Sequence, residues 1–179
     1  MSSTRGKTIK NDVYLTPPLL AVEILRRVSF RPTDHYLDPA FGSGAFFNNV
    51  DLPAKQKQFA EINQGVDYLK TEFEPQDVII TNPPFSLAES FLRKSFTELR
   101  PDGTLIYLLR TNYFGSLKRR PFFEKFGTPN KLANLVPRPS FKSDTISGRG
   151  RTDSCEYSLF IWDRGGRYLD DAISNLYWR

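Results

Sequence analysis

Three short apolar runs, each leading into a polar side chain at its carboxyl end, constrain this chain more than any other feature. HYLD at 35–38 closes on Asp38, QFAEI at 58–62 carries Glu61 near its end, and DVIIT at 77–81 runs into Asn82. Each reads as a β-strand, and TLIYLL at 104–109 reads as a fourth. Helical patterns separate them. Residues 87–99 place apolar side chains at 87, 88, 91, 92, 96 and 99, ahead of a Pro101-Asp102-Gly103 turn signal. Upstream, Thr16-Pro17-Pro18 precedes an apolar stretch at 19–28, which predicts a helix with Thr16 as its cap and proline in its first turn. Strands alternating with helices predict right-handed βαβ units around a mostly parallel sheet flanked by helices. Such a sheet takes its ligands at the carboxyl ends of its strands, where Asp38, Glu61 and Asn82 would converge.

The segment after Asp38, PAFGSGAFF at 39–47, predicts a glycine-containing turn into a helix. Gly42 and Gly44 would let backbone approach a ligand closely, although a Gly-x-Gly also fits an ordinary tight turn. Glu61 sharpens the first reading, because an acid about 20 residues further on, at the end of the second strand, is placed to accept hydrogen bonds from ribose hydroxyls. A dinucleotide fingerprint would have a third glycine where this chain has Phe47, which disfavours NAD. The corner NPPF at 82–85 stops the third strand abruptly, since proline lacks an N–H and fixes φ.

At 179 residues and 39% hydrophobic content the chain fits one domain. No apolar run approaches the roughly 20 residues of a membrane span, and the first ten residues lack the apolar core of a signal peptide, so a soluble intracellular protein is expected. One cysteine, Cys155, and one histidine, His35, give no internal disulfide and no metal-ligand spacing. The net charge of +5 favours an anionic partner mildly. Lys118, Arg119, Arg120, Arg138, Lys142, Arg149 and Arg151 lie near Phe114, Phe122, Phe123 and Phe141 in sequence. That pattern suits a nucleic-acid surface and equally a solvated face over core phenylalanines. Residues 1–10 are expected to be flexible. A loop-rich insert is expected over 121–151, broken by a short strand at 132–136, and then a strand at 157–162 and a terminal helix over 168–177.

DPAFGSGAF at 38–46, NPPF at 82–85 and YLTPP at 14–18 resemble the signature segments of S-adenosylmethionine-dependent N6-adenine methyltransferases. LLRTNYFGSLKRRPFF, PRPSF and RTDSCEYSLFIW resemble the small DNA adenine methyltransferases of bacteriophages and prophages. The resemblance implies a Rossmann-like class I methyltransferase fold of about seven strands, S-adenosyl-L-methionine as cofactor, no metal, and the cytoplasm of a bacterial cell or phage-infected host. It assigns the methionine part of the cofactor to Asp38, Pro39, Phe41, Gly42 and Gly44, with Tyr14, Thr16 and Pro17 closing the pocket and Phe46 lining it. Glu61 would meet the ribose and Asp67 the adenine amino group. The Asn82 side-chain oxygen and the Pro83 carbonyl would accept the target amine, Pro84 would stiffen the corner, and Phe85 would stack on a base swung out of its helix or strand. Lys118, Arg119, Arg120, Arg138, Ser140 and Phe141 would contact substrate. The chain has no room for a large recognition domain, so short-site specificity or a separate recognition subunit is expected. DNA is the favoured substrate. RNA adenine methylation and a catalytically idle nucleic-acid-binding module are the alternatives.

Overall fold

The computed structural model of the protein describes residues 14–141 and 155–179. Helix α1 (Pro18–Leu25) is followed by β1 (Tyr36–Asp38), β2 (Lys57–Phe59), β3 (Gln76–Thr81), α2 (Ala88–Glu98), β4 (Leu99–Arg110), α3 (Arg120–Phe126), β5 (Lys131–Val136), β6 (Tyr157–Asp163) and β7 (Ile173–Tyr177). The strands form one seven-stranded sheet in the order β2-β1-β3-β4-β6-β5-β7. All neighbours pair parallel except β6, which runs antiparallel to both β4 and β5.

Alternation of side chains along each strand builds two cores. Val78, Ile80, Ile106 and Leu108 face α1, where they meet Leu20 and Ile24. Leu37, Ile79, Leu105 and Tyr107 face the opposite way, toward Leu92 of α2 and Phe122 of α3. β3 is buried along its whole length, the expected signature of a strand covered on both faces.

The chain departs from its sequence pattern at five places. The helix expected after the glycine turn is only a 3₁₀ turn at Phe47–Asn49, because Asn48 and Asn49 favour turns and Pro53 bars continuation. Pro17, not Thr16, stands at the cap position of α1, with no side-chain cap bond. The Pro101-Asp102-Gly103 signal lies within β4 as a bulge: Leu99 pairs with Gln76 and Thr104 with Val78, so β4 advances five residues where β3 advances two. The start of the segment expected to be loop-rich is helical, since Pro121 occupies the first turn of α3, while the short strand expected at 132–136 is present as β5. Finally, the terminal segment expected to be helical contains β7. Leu176 and Trp178 point inward at a period of two while Ile173 and Tyr177 stay exposed, the alternation of a strand with one covered face, and the segment pairs with β5. Residues 1–10, and Lys142, Arg149 and Arg151, lie outside the described residues. Among the described residues no helix is long and apolar enough to cross a membrane.

Candidate active site

After β1 the chain moves to one side of it for β2 and to the other for β3, so the strand order reverses direction at β1. At this switch point a cavity of about 230 Å³ opens on the carboxyl edge. Tyr14, Thr16, Pro39, Phe41, Gly42, Phe46, Glu61, Asp67, Asn82, Pro83 and Pro84 line it, which gathers most of the residues singled out in the sequence. Ala40, Ser43 and Ala45 of the glycine turn, Leu15 and Ala60 beside it, and Ile62, Asn63, Val66, Tyr68, Leu87 and Phe91 complete the walls, none of them singled out in the sequence for a role. Among the described residues, Glu61 and Asp67 are the only charged side chains in the lining, which makes this part of the cavity acidic in a protein of net charge +5.

Asp38 ends β1 beneath this cavity and is completely buried. Its Oδ1 accepts from the Thr81 hydroxyl at 3.0 Å and from the Ala40 N–H at 3.2 Å, while Oδ2 is a buried acceptor with no hydrogen-bond partner. Burial pushes this carboxyl up to about 7, against the opposing hydrogen bonds and with help from the nearby Glu61 charge.

The glycine turn is held by the acid that follows it in sequence. Gly42, at φ 54°, donates its N–H to Glu61 Oε2 at 2.9 Å. Glu61 Oε1 accepts from the Asn63 N–H at 3.0 Å. Glu61 stands two residues beyond β2, at the head of a 3₁₀ turn over Ile62–Gln64. Ile62 next to it is 71% exposed, an apolar face presented at the cavity. Gly44 is tightly enclosed: at φ 76° a Cβ would meet Asn48 Nδ2 at 2.5 Å and Phe41 Cζ at 2.7 Å. Gly44 therefore shapes the turn without lining the cavity, and Pro17 also lies outside the lining. Asp67 pairs with Lys70 at 3.0 Å, and that hydrogen-bonded ammonium holds its carboxyl below the ordinary range.

Asn82 follows β3, and its side chain is oriented by two donations. Nδ2 gives one hydrogen bond to the Tyr14 carbonyl at 2.8 Å and one to Thr16 Oγ1 at 3.1 Å. Oδ1 is thereby left as a buried acceptor without a partner. The Pro84 carbonyl accepts from Leu87 N–H at 2.9 Å, which turns the corner into the helix that follows. Phe85 lies outside the cavity lining, half-buried in an aromatic cluster, with ring centroids 4.9 Å from Tyr14, 5.6 Å from Tyr157 and 6.2 Å from Phe141. The Arg110 guanidinium sits over the Phe85 ring at 5.5 Å.

The sequence-predicted substrate residues occupy the same edge of the sheet but not the cavity. Lys118 is exposed in the segment after β4. Arg119 lies 3.8 Å over the Tyr113 ring and donates to the Tyr113 carbonyl, and Arg120 pairs with Glu124 at 2.6 Å. After β5, Arg138 is exposed and 3.6 Å from Glu156, Ser140 is half-buried, and Phe141 is buried 4.8 Å from Tyr157. Thr81, Arg110 and Tyr157 were missed by sequence reasoning. Thr81 left a faint signal as the one hydroxyl at the end of an apolar run. Among the described residues no group of three or more His, Cys, Asp or Glu is arranged to hold a metal.

This sheet, its crossover at β1 and the ligand-side cavity define the Rossmann-like class I methyltransferase fold. The chain superposes on a protein of Listeria monocytogenes assigned as a class I S-adenosylmethionine-dependent methyltransferase, with a TM-score of 0.64, 18% identity, and coverage of 96% of this chain and 68% of that one. It also matches the modification subunit assigned to a type I restriction enzyme of Vibrio vulnificus YJ016 (TM-score 0.62, 16% identity, 87% of this chain, 45% of that one). The type I restriction-modification methyltransferase subunit of Streptococcus thermophilus matches with a TM-score of 0.57, 13% identity, and coverage of 83% and 44%. The chain thus spans less than half the length of either restriction subunit. No protein-family model and no curated protein sequence matches it.

Proposed function

We propose that this protein transfers a methyl group from S-adenosyl-L-methionine to the N6 amino group of adenine in DNA. The observation that carries the reading is the unpaired Asn82 Oδ1, a buried acceptor beside a rigid Asn-Pro-Pro-Phe corner and a cavity of matching charge. An adenine amine is a weak nucleophile because its lone pair is delocalised into the ring. An acceptor fixed in advance draws its N–H groups out of the ring plane and aims the nitrogen at its target. Asn82 is suited to this because its own donors are engaged by Tyr14 and Thr16, so the oxygen cannot rotate away without losing two hydrogen bonds.

The residues present fit the cofactor on chemical grounds. It carries two positive groups against one carboxylate, and the cavity supplies Glu61 and Asp67, the buried Asp38 beneath, and no lining cation among the described residues. When bound, it supplies a methyl group on a positively charged sulfur. Each Glu61 oxygen has one backbone N–H partner and retains a lone pair for a ribose hydroxyl. Ile62 would offer apolar surface to a purine face, and Asp67, in the same lining, would accept from its amino group. The basic residues on the same edge, Lys118 and Arg138 foremost, favour a polyanion over a protein substrate. The type I restriction subunits of similar fold favour DNA over RNA, and with them a separate recognition subunit.

The test is mass spectrometry of nucleosides after incubation with isotopically labelled S-adenosylmethionine and duplex DNA, single-stranded DNA or RNA. Labelled N6-methyladenine from DNA is expected, reduced about 10²–10³-fold in Asn82→Ala. Label in RNA alone would replace the DNA reading. No label in any arm, together with no cofactor binding in a titration, would end the enzymatic reading.

A further inference from the structure

The two edges of the sheet are unlike. The β2 edge is three residues long and carries Lys57, a short charged edge of the kind that resists further pairing. The β7 edge is five residues, Ile173-Ser174-Asn175-Leu176-Tyr177, with no charge and no proline. Among the described residues no strand pairs with its outer side.

Backbone direction on β7 can be assigned. The Ala172 carbonyl accepts from Leu132 N–H at 2.7 Å, and the Trp178 N–H donates to the Val136 carbonyl at 3.2 Å, so even-numbered residues bond to β5. The N–H and C=O of Ile173, Asn175 and Tyr177 consequently point outward. Their side chains share one sheet face and are exposed, Ile173 at 78% and Tyr177 at 62%. Asp171 and Arg179 flank the strand at the same odd-numbered spacing, both exposed.

We propose that β7 pairs antiparallel with β7 of a second copy of this chain about a two-fold axis at Asn175. This register makes the segment self-complementary. Asn175 meets Asn175, Ile173 of each copy meets Tyr177 of the other, and Asp171 of each meets Arg179 of the other. All three are pairs whose outward backbone groups face one another, and aliphatic–aromatic and opposite-charge pairs are both favourable across strands. A parallel arrangement would set Asp171 beside Asp171. The result is a continuous sheet through both copies. Because the strands run in opposite senses, the two cavities open on opposite edges of that sheet. The seam is shorter than a standard interface, so the dimer is weak and concentration-dependent, with dissociation in the micromolar range. The inference is independent of the reaction proposed above.

Sedimentation velocity over a concentration series, on the full chain, tests it. Wild type is expected to convert from monomer to dimer. Asp171→Arg and Arg179→Asp should each weaken the dimer roughly tenfold by placing like charges opposite, and the double reversal should restore it, while thermal unfolding of the monomer stays unchanged in all three. A monomer at every concentration would overturn the proposal, leaving the edge to a different partner. So would a dimer indifferent to the single reversals, which would lie on another surface, or a double reversal without rescue, which would refute the register.

Discussion

Asp38 and Asn82 each present one buried oxygen without a hydrogen-bond partner, at the ends of adjacent strands. The protonation state of the first follows from burial. Its carboxyl titrates at about 7 in the folded chain against an ordinary 3.8, so between those values the folded state binds the extra proton. The stability it confers is complete below about pH 4 and is lost as pH rises through about 7. The size is on the order of 4 kcal/mol for a fully buried group. Asp38→Asn keeps an acceptor for Thr81 and Ala40 without the charge, and chemical denaturation should show it more stable than wild type above pH 7, with the difference vanishing near pH 4. A cationic ligand over Asp38 favours the carboxylate. S-adenosylmethionine affinity should accordingly rise with pH through the same window in wild type and rise less in Asp38→Asn. Calorimetry in two buffers of different ionisation enthalpy would detect the released proton.

At the level of elements, the site is a set of strand ends stitched by side chains. Gly44 is the tightest stitch, and Gly44→Ala would combine a left-handed φ with contacts to Asn48 and Phe41 that are too close. A loss of about 2–3 kcal/mol is expected by urea denaturation, with cofactor affinity falling in parallel. A Cβ at Gly42 would make only ordinary contact, 3.5 Å from a Leu15 methyl, so Gly42→Ala should cost less, on the order of 1 kcal/mol, from backbone strain alone. This difference between two glycines of one Gly-x-Gly was invisible in the sequence, which showed only that a turn was needed. Elements with continuous apolar runs were legible: β1, β3, β4, β6, α1 and α2 stand close to where the pattern put them. β7 was hidden because only one of its faces is covered, and α3 because its Pro121 was read as a loop signal when it starts a helix. In the site, the spacing from Gly42 to Glu61 was readable because both flank one βαβ-like unit. The bonds of Thr81 to Asp38 and of Asn82 to Thr16 were not, because they join segments 43 and 66 residues apart that only the folded sheet brings together.

Across the whole molecule, the end of the sheet opposite the cavity is fastened by one buried guanidinium. Arg167 donates Nε and Nη2 to the two Asp34 oxygens, each at 2.9 Å, and Nη1 to the Asp102 carbonyl at 2.7 Å. It joins the loop before β1, the bulge in β4 and the segment before β7, and both partners of the ion pair are about 2% exposed. Burial alone would raise the Asp34 carboxyl, but the Arg167 hydrogen bonds and the Arg31 N–H outweigh it and hold the group below its ordinary value. The sign is opposite to that of Asp38: Asp34 contributes stability above about pH 4 that is lost as pH falls through its lowered value. Taken together, the contributions of the two acids peak near pH 4, where Asp34 is ionised and the stability linked to the Asp38 proton has not yet begun to fall. Arg167→Met should destabilise by about 3–5 kcal/mol at pH 7, because it leaves a buried carboxylate without its partner. It should also remove the acid limb that Asp34 contributes, because an unpaired buried carboxyl takes up a proton more readily in the folded than in the unfolded chain, so that lowering the pH relieves part of the loss. The double variant Asp34→Leu/Arg167→Met removes both charges and should recover much of the loss, with no acid limb from this position. Unfolding midpoints from pH 3 to 8 for the three proteins check this account, and an Arg167→Met profile that keeps the wild-type acid limb would show that Asp34 is not held by this pair.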